Sequence, residues 1–72
     1  MMKSPRVLFG ERVRALRIAA GWTQDAFAEH VGFARSYMSK LETGGANPSL
    51  DAIAALATAL KVRIIDLLDN QR

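Results

Sequence analysis

The sequence predicts a compact all-α domain of five helices, and three observations support that prediction. Apolar residues recur at helical spacing along the 72-residue chain, and no alternating pattern is long enough for a strand, although the segment 62–65 alone is ambiguous. Residues that favour a helix start precede the apolar segments, and glycine follows the first two of them. No linker, internal repeat or low-complexity tract interrupts the chain, so we expect one domain over residues 1–72.

The first helix is predicted to begin at Pro5. Ser4 can cap it, and proline is tolerated at the first helical position because its missing N–H would have no partner there. Gly21 supplies a left-handed end. The inner face of this helix is expected to consist of Phe9, Val13, Leu16 and Ala20.

A second, shorter helix is predicted after Thr23, whose hydroxyl can cap it. Asp25 lies in its first turn, where the helix dipole favours negative charge, and Gly32 ends it. Its inner face is expected to consist of Phe27, Ala28 and Val31.

Two further helices are predicted on either side of a clear loop. The third helix begins near Ala34 or Arg35 and ends at Glu42. The segment 43–49, with two glycines followed by Asn-Pro, is the loop, and Ser49 can cap the fourth helix. The inner face of the fourth helix is expected to consist of Leu50, Ile53, Leu56, Ala57 and Leu60.

A short turn around a glycine joins the second and third helices. Such a turn lets two helices cross at a steep angle, and small residues are then needed where the backbones meet. Ala28 stands four residues before Gly32, while Phe33 and Met38 can fill the wedge from the other side. This spacing is the pattern of a DNA-binding helix-turn-helix, which we expect over residues 24–42.

The composition narrows the classes of function. The net charge is +3, and the whole excess lies in residues 1–42, which contain seven basic and four acidic residues, so an anionic partner is favoured. The chain has no cysteine, no histidine pair, no glycine-rich phosphate loop and no nucleophile beside a base. We therefore expect no enzyme, metal site, cofactor or small-molecule effector. No apolar run approaches the ~20 residues that span a bilayer, and the N-terminus lacks a leader pattern, so we expect a cytoplasmic protein without membrane contact.

Several segments resemble, in order and spacing, the helix-turn-helix domains of phage repressors, Cro proteins and restriction–modification controller proteins. The segments are FGERVRALR, GWTQDAFAEHVG, RSYMSKLETG, NPSL and LATALKV, and the resemblance extends from Phe9 to about Leu68. Short stand-alone controller proteins are the most similar, because no second domain follows the fifth helix. The resemblance implies a transcriptional regulator that binds double-stranded DNA as a homodimer.

In that family the third helix lies in the major groove, with its first residues at the base edges. Met38 and Leu41 point inward, which leaves the opposite face for the DNA. The candidates for base contacts are Arg35, Ser36, Tyr37, Ser39 and Lys40. Arg35 is the strongest of them because its guanidinium matches the O6 and N7 acceptors of guanine. Tyr37 lies at the margin of this face, and Lys40 suits a phosphate as well as a base.

The resemblance also implies contacts to DNA phosphates. The candidates are Gln24, Thr23, Asn47, Ser49 and Arg14. Gln24 has the best support, because free N–H groups at the start of its helix would reinforce an anion contact. Relatives commonly carry basic residues at the positions of Thr43 and Ala46, so we expect weaker phosphate binding and a flatter salt dependence here. Arg12 and Arg14, on the outer side of the first helix, either compensate for this loss or face solvent.

Four further residues are expected to have structural roles. By resemblance, Arg17 and Glu42 form a structural pair that fixes the third helix against the first. Trp22 is expected to cover the core from outside, and His30 to lie at the surface or the rim of the second helix.

The C-terminal segment is unusually rich in large aliphatic residues, with Val62, Ile64, Ile65, Leu67 and Leu68 close together. One short helix has too little inner surface to bury them all, so Ile64 or Ile65 together with Leu68 could form a self-complementary dimer patch within a dimerisation region of about 50–70. The alternative is that all of them fold back on the fourth helix. Arg63 replaces the small capping residue common in relatives, which leaves the start of this helix open.

An antitoxin-like protein-interaction module is the alternative function.

Overall fold

Five α-helices are present in the computed structural model, which describes residues 3–68. They are α1 (Pro5–Ala19), α2 (Gln24–Val31), α3 (Arg35–Glu42), α4 (Leu50–Leu60) and α5 (Ile64–Leu68). The described residues contain no strand, and the predicted all-α fold is confirmed. None of these helices has the length and apolar character that a membrane crossing requires. Residues 69 and 70, the end of the predicted dimerisation region, lie outside the described residues.

Three of the helices begin at the predicted hydroxyl caps. The side-chain oxygens of Ser4, Thr23 and Ser49 accept the backbone N–H three residues later at 3.1–3.3 Å, ahead of α1, α2 and α4. Each bond satisfies one of the N–H groups that have no partner within the helix. Helix α3 begins differently, because Ala34 precedes it and makes no side-chain capping bond.

Gly32 ends α2 and turns the chain toward α3. Its φ of 88° lies in the left-handed region, which glycine adopts without a Cβ penalty. The backbone N–H groups of Gly32 and Phe33 both donate to the carbonyl of Ala28, at 2.9 and 2.8 Å. The chain is thereby free to begin α3 three residues later, at Arg35. Lys61 ends α4 with φ 58°, also in the left-handed region, although it carries a Cβ.

One hydrophobic core connects all five helices. It consists of Phe9, Val13, Phe27, Ala28, Met38, Leu41, Leu56, Ala57 and Leu67. Two residues that were predicted to be inner are not. Leu50 is 74% exposed as the first residue of α4, whereas Ile53 in the same turn packs against the core. Ala20, the C-cap residue of α1, is also exposed.

Gly10 lets α1 and α3 approach each other closely, a role that the sequence did not reveal. A Cβ at this position would lie 2.8 Å from the carbonyl oxygen of Glu42 and would also overlap the carbonyl oxygen of Leu41. Both atoms belong to the backbone, so neither can move away by a change of rotamer. The last turn of α3 is therefore set against α1 at a distance that only glycine permits.

Side-chain contacts to the backbone hold α5 in place. The Arg12 Nε donates to the carbonyl of Asp66 at 3.0 Å, although the residue is exposed. That Arg12 compensates at a phosphate, or faces solvent, stays a prediction. The Asp66 carboxylate accepts the backbone N–H of Arg63 at 2.8 Å and thus caps the start of α5 from within. Its ion pair with the Arg63 side chain, followed by this backbone bond, holds the pKa of Asp66 below its ordinary value.

Candidate nucleic-acid interface

Helices α2 and α3 and the turn at residues 32–34 form a helix-turn-helix packed on α1. Phe27, Ala28 and Met38 are buried where the two helices meet, at 0–2% exposure. Ala28 is buried at this junction, as its spacing from Gly32 predicted. The opposite side of α3 consequently faces away from the core.

The outer face of α3 is polar and exposed. The residues on it are Arg35, Ser36, Ser39 and Lys40. Met38 and Leu41 are fully buried on the other side. Tyr37 lies between the two faces: it is half-buried, and its ring meets the ring of Phe33 edge to face, with centroids 5.2 Å apart. This contact joins the Tyr37 ring to the turn that precedes α3.

Arg35 is not an isolated cation on this face. Its Nε lies 2.8 Å from Oδ1 of Asp25, in an ion pair that joins the first residue of α3 to the first turn of α2. Both side chains are well exposed, at 75% for Arg35 and 62% for Asp25. The sequence predicted only a favourable interaction of Asp25 with the helix dipole, because residues ten apart on different helices give no periodic signal.

Gln24 lies beside the outer face of α3. Together with Arg35, Ser36 and Ser39 it lines an open surface pocket, which brings a predicted phosphate contact and three predicted base contacts to one place. The Nε2 of Gln24 donates to Oε1 of Glu42 at 3.1 Å. One N–H of the amide is thus used within the protein, and the second can still donate to a ligand.

Arg17 and Glu42 are brought together in a buried ion pair, with side chains 8% and 2% exposed. The Arg17 guanidinium donates to both carboxylate oxygens of Glu42, at 2.7 and 3.0 Å, and its Nη1 donates to the carbonyl of Trp22 at 2.8 Å. With Gln24 as a further donor, Glu42 connects α3 to α1 and to the start of α2. Among residues 3–68 no buried side-chain nitrogen or oxygen is without a hydrogen-bond partner.

The other predicted phosphate contacts lie at exposed positions. Thr23 and Ser49 accept a backbone N–H as caps, and their hydroxyl protons remain able to donate. Asn47 is exposed in the loop before α4, and Arg14 is exposed on α1, one turn before Arg17. Thr43, where relatives commonly have a basic residue, donates its hydroxyl to the last carbonyls of α3 at 3.1 and 3.2 Å. The Thr43 side chain therefore provides a hydrogen-bond donor for carbonyls in the last turn of α3.

Trp22 and His30 stack on each other at the rim of α2. Their ring centroids are 4.6 Å apart and their planes differ by 21°. Trp22 is half-buried against the core, and His30 is exposed. Within the part of the chain that the structure describes, there is no cluster of three or more residues that could hold a metal ion.

An apolar patch is exposed on α5. Leu67 points inward and is fully buried, while Ile64, Ile65 and Leu68 are 40%, 59% and 49% exposed. The alternative in which the whole segment folds back on α4 is thus wrong, because a five-residue helix has one inner face and Leu67 occupies it. The three exposed residues form what we call the α5 patch.

Comparison with known proteins gives similar sequences and similar structures. A family model of the helix-turn-helix domain matches residues 8–69. The control protein C.BamHI of Bacillus amyloliquefaciens is 39% identical over 70 residues, which cover 96% of this chain and 86% of that protein. The immunity repressor of Bacillus phage phi105 is 36% identical over 55 residues, 76% of this chain and 38% of the repressor. The crystal structure of the restriction–modification controller protein C.AhdI from Aeromonas hydrophila superposes with a TM-score of 0.81 at 44% identity, over 85% of this chain and 92% of the other.

Proposed function

The chain belongs to the helix-turn-helix domain family, and from this membership we propose that it is a sequence-specific DNA-binding transcriptional regulator. We further propose that it acts in the cytoplasm as a homodimer on an inverted-repeat operator, as a controller of the restriction–modification type. The observation that carries the proposal is the exposed polar face of α3, which is held outward by the buried residues on its other side.

In this proposal the first turn of α3 enters the major groove and contacts base edges. Arg35 donates to O6 and N7 of a guanine, a contact that discriminates against other bases by ~1–3 kcal/mol. The other base contacts come from Ser36, Ser39, Lys40 and the Tyr37 phenol. The shared pocket of Gln24 and α3 supports this arrangement, because a phosphate contact beside the base contacts would fix the register of the helix.

The proposed phosphate contacts are mostly uncharged. They are made by Gln24, Thr23, Asn47, Ser49 and Arg14, and only the last of these carries a positive charge. Observed affinity falls with salt with a logarithmic slope of roughly −0.9 for each phosphate that a cation neutralises. A binding curve measured against salt should therefore be shallow, and Arg14→Ala should reduce its slope by about one.

The α5 patch supports a two-fold dimer, because three aliphatic side chains are exposed side by side near the C-terminus. An isologous interface places the same patch on both copies. Two α3 helices about 34 Å apart would then contact half-sites spaced by roughly ten base pairs. Occupancy of such a site blocks polymerase when it overlaps a promoter and recruits polymerase when it lies just upstream.

The dimer is tested by substituting the α5 patch. Ile65→Asp is expected to raise the dimer dissociation constant by about tenfold or more, because a carboxylate would be buried without a partner. Ile18→Asp is the matched control, since Ile18 is a similarly exposed isoleucine on α1, at 51% against 59% for Ile65. Sedimentation equilibrium measures the dimer dissociation constants of both variants. Equal effects of the two substitutions, or none from either, would exclude the α5 patch as the interface.

The DNA-binding function is tested by selecting bound duplexes from a random pool. We expect a two-fold-symmetric site to be enriched, and Arg35→Ala to abolish its specific retardation. Arg6→Ala removes the same charge from an exposed position on α1 and should leave retardation of the site intact. A pool without any enriched sequence would refute the proposal.

An antitoxin-like interaction module is the second candidate, since the α5 patch would also suit a different protein. Arg35→Ala distinguishes the two functions. It should eliminate specific DNA binding in a regulator and leave partner binding unchanged in an interaction module.

A further inference from the structure

The ion pair between Asp25 and Arg35 has a function beyond its contribution to α2. We propose that Asp25 is a positioning residue: it holds the Arg35 side chain so that the two terminal nitrogens of the guanidinium face a guanine in the major groove. This inference rests on the proposed function, and specifically on Arg35 as the residue that contacts the base. In this inference Asp25 does not contact the base. It strengthens the preference of Arg35 for guanine.

The placement of the two residues makes such a role feasible. Arg35 is the first residue of α3, and Asp25 is in the first turn of α2. The buried Arg17–Glu42 pair, together with the Gln24–Glu42 bond, fixes the start of α2 relative to α3. The carboxylate of Asp25 is therefore presented to Arg35 from a rigid neighbouring helix and not from a loop.

The atoms used in the ion pair determine which part of Arg35 remains available. A guanidinium carries five N–H donors in a planar fork. The Nε atom, at one end of the fork, lies 2.8 Å from Asp25 Oδ1 in the ion pair. The two terminal nitrogens remain and can donate in parallel to O6 and N7 of guanine, which is the bidentate geometry that distinguishes this base.

A fixed arginine is more selective than a free one. An unrestrained Arg35 can turn to a phosphate or to a single acceptor on another base, since its charge is attracted to any of them. The Asp25 carboxylate opposes those alternatives wherever they turn the side chain so that Nε moves away from Oδ1. Loss of Asp25 should consequently lower the preference for guanine while leaving overall affinity for DNA unchanged or higher, because a negative charge near the phosphates has been removed.

The experiment compares four proteins: Asp25→Ala, Arg35→Ala, the double variant and Asp51→Ala. The last is the matched control, because Asp51 is the second residue of α4 after the cap Ser49, as Asp25 is the second residue of α2 after the cap Thr23. The probe is a duplex obtained by selection from a random pool. Each of its base pairs is then changed in one half-site, and affinities are measured by competition at one salt concentration.

We expect Arg35→Ala to reduce the preference for guanine at one position by about tenfold or more. Asp25→Ala should reduce it at the same position by about two- to fivefold, the range for an exposed ion pair. In the double variant Asp25→Ala should have no additional effect, and Asp51→Ala should preserve the preference. Melting curves of all variants show whether each protein is folded at the assay temperature. Unfolding would in addition lower affinity for every duplex alike and would leave the base preference unchanged.

Two results would overturn the inference while sparing the proposed function. The first is an unchanged preference in Asp25→Ala when Arg35→Ala loses it. The second is a stronger preference in Asp25→Ala, which would mean that the carboxylate competes with DNA for Arg35. If Arg35→Ala keeps the preference, Arg35 does not contact the base, and both the proposed base contact and the inference fail together.

Discussion

Substitution of Gly10 by alanine should destabilise the protein, although the same change in an ordinary helix is favourable. Gly10 is in the middle of α1, where alanine is better than glycine by ~1 kcal/mol of intrinsic helix propensity. At Gly10 the substitution is expected to lower the free energy of unfolding, because the new Cβ would lie 2.8 Å from the Glu42 carbonyl oxygen and overlap that of Leu41.

The magnitude follows from the distances. A carbon–oxygen contact needs about 3.3 Å, so α1 and α3 would have to separate by about 0.5 Å or more at this point. Arg17 follows Gly10 by about two turns, and its bonds to Glu42, at 2.7 and 3.0 Å, would be lengthened by the same movement. Overpacking costs ~1–3 kcal/mol, and the upper end applies because only backbone atoms meet. After the gain in propensity, the net loss is about 2 kcal/mol.

The assay is thermal and urea unfolding followed by circular dichroism, at one protein concentration because dimerisation would add to stability. For a domain of this size a loss of 2 kcal/mol lowers Tm by about 8 °C or more. Ala15→Gly, at an exposed position of the same helix, is the reference for propensity alone and should cost about 1 kcal/mol. A Gly10→Ala protein that melts at or above the wild-type temperature would refute the close-approach argument.

Three further predictions follow from other contacts. Arg17→Ala should lower the free energy of unfolding by about 3 kcal/mol because it leaves the buried carboxylate of Glu42 without its main partner, whereas Arg17→Met combined with Glu42→Leu should recover most of the loss in the same urea titration. Lys61→Gly should raise the free energy of unfolding by about 0.5–1 kcal/mol, because glycine adopts the left-handed conformation without strain; an unchanged Tm would contradict this. The Asp66 carboxyl should titrate below its ordinary pKa in NMR spectra, and Arg63→Ala should raise that pKa. Since the folded-state pKa is the lower one, the stabilisation from Asp66 is present above the unfolded-state pKa of about 4 and is lost as pH falls through the folded value.

Local signals predicted much of this fold because they act over a few residues. Ser4, Thr23 and Ser49 precede helices, and a hydroxyl can bond an N–H three residues on whatever surrounds it. Gly32 ended α2 for an equally local reason, the absence of a Cβ. The failure at Leu50 has the opposite cause: helical spacing identifies a face but not how far along the helix that face is covered.

The candidate site was predicted in part. The outer face of α3 followed from the inward positions of Met38 and Leu41, since side chains on one helix are related by a fixed rotation. The partners of that face were not predictable in the same way. Asp25 reaches Arg35, and Gln24 reaches Glu42, across two helices whose mutual angle depends on the packing of the whole core.

By itself, then, the sequence determined the class of fold, the capped starts of α1, α2 and α4, the family and the surface of α3 available to a ligand. Each of these depends on spacing within one segment or on order along the chain. Only the tertiary structure decided that Gly10 lets α1 and α3 approach closely, that Arg12 contacts α5 through the Asp66 carbonyl, and that Arg35 is paired before any ligand arrives. Those contacts join residues on different helices, and a distance between helices is set by everything packed between them.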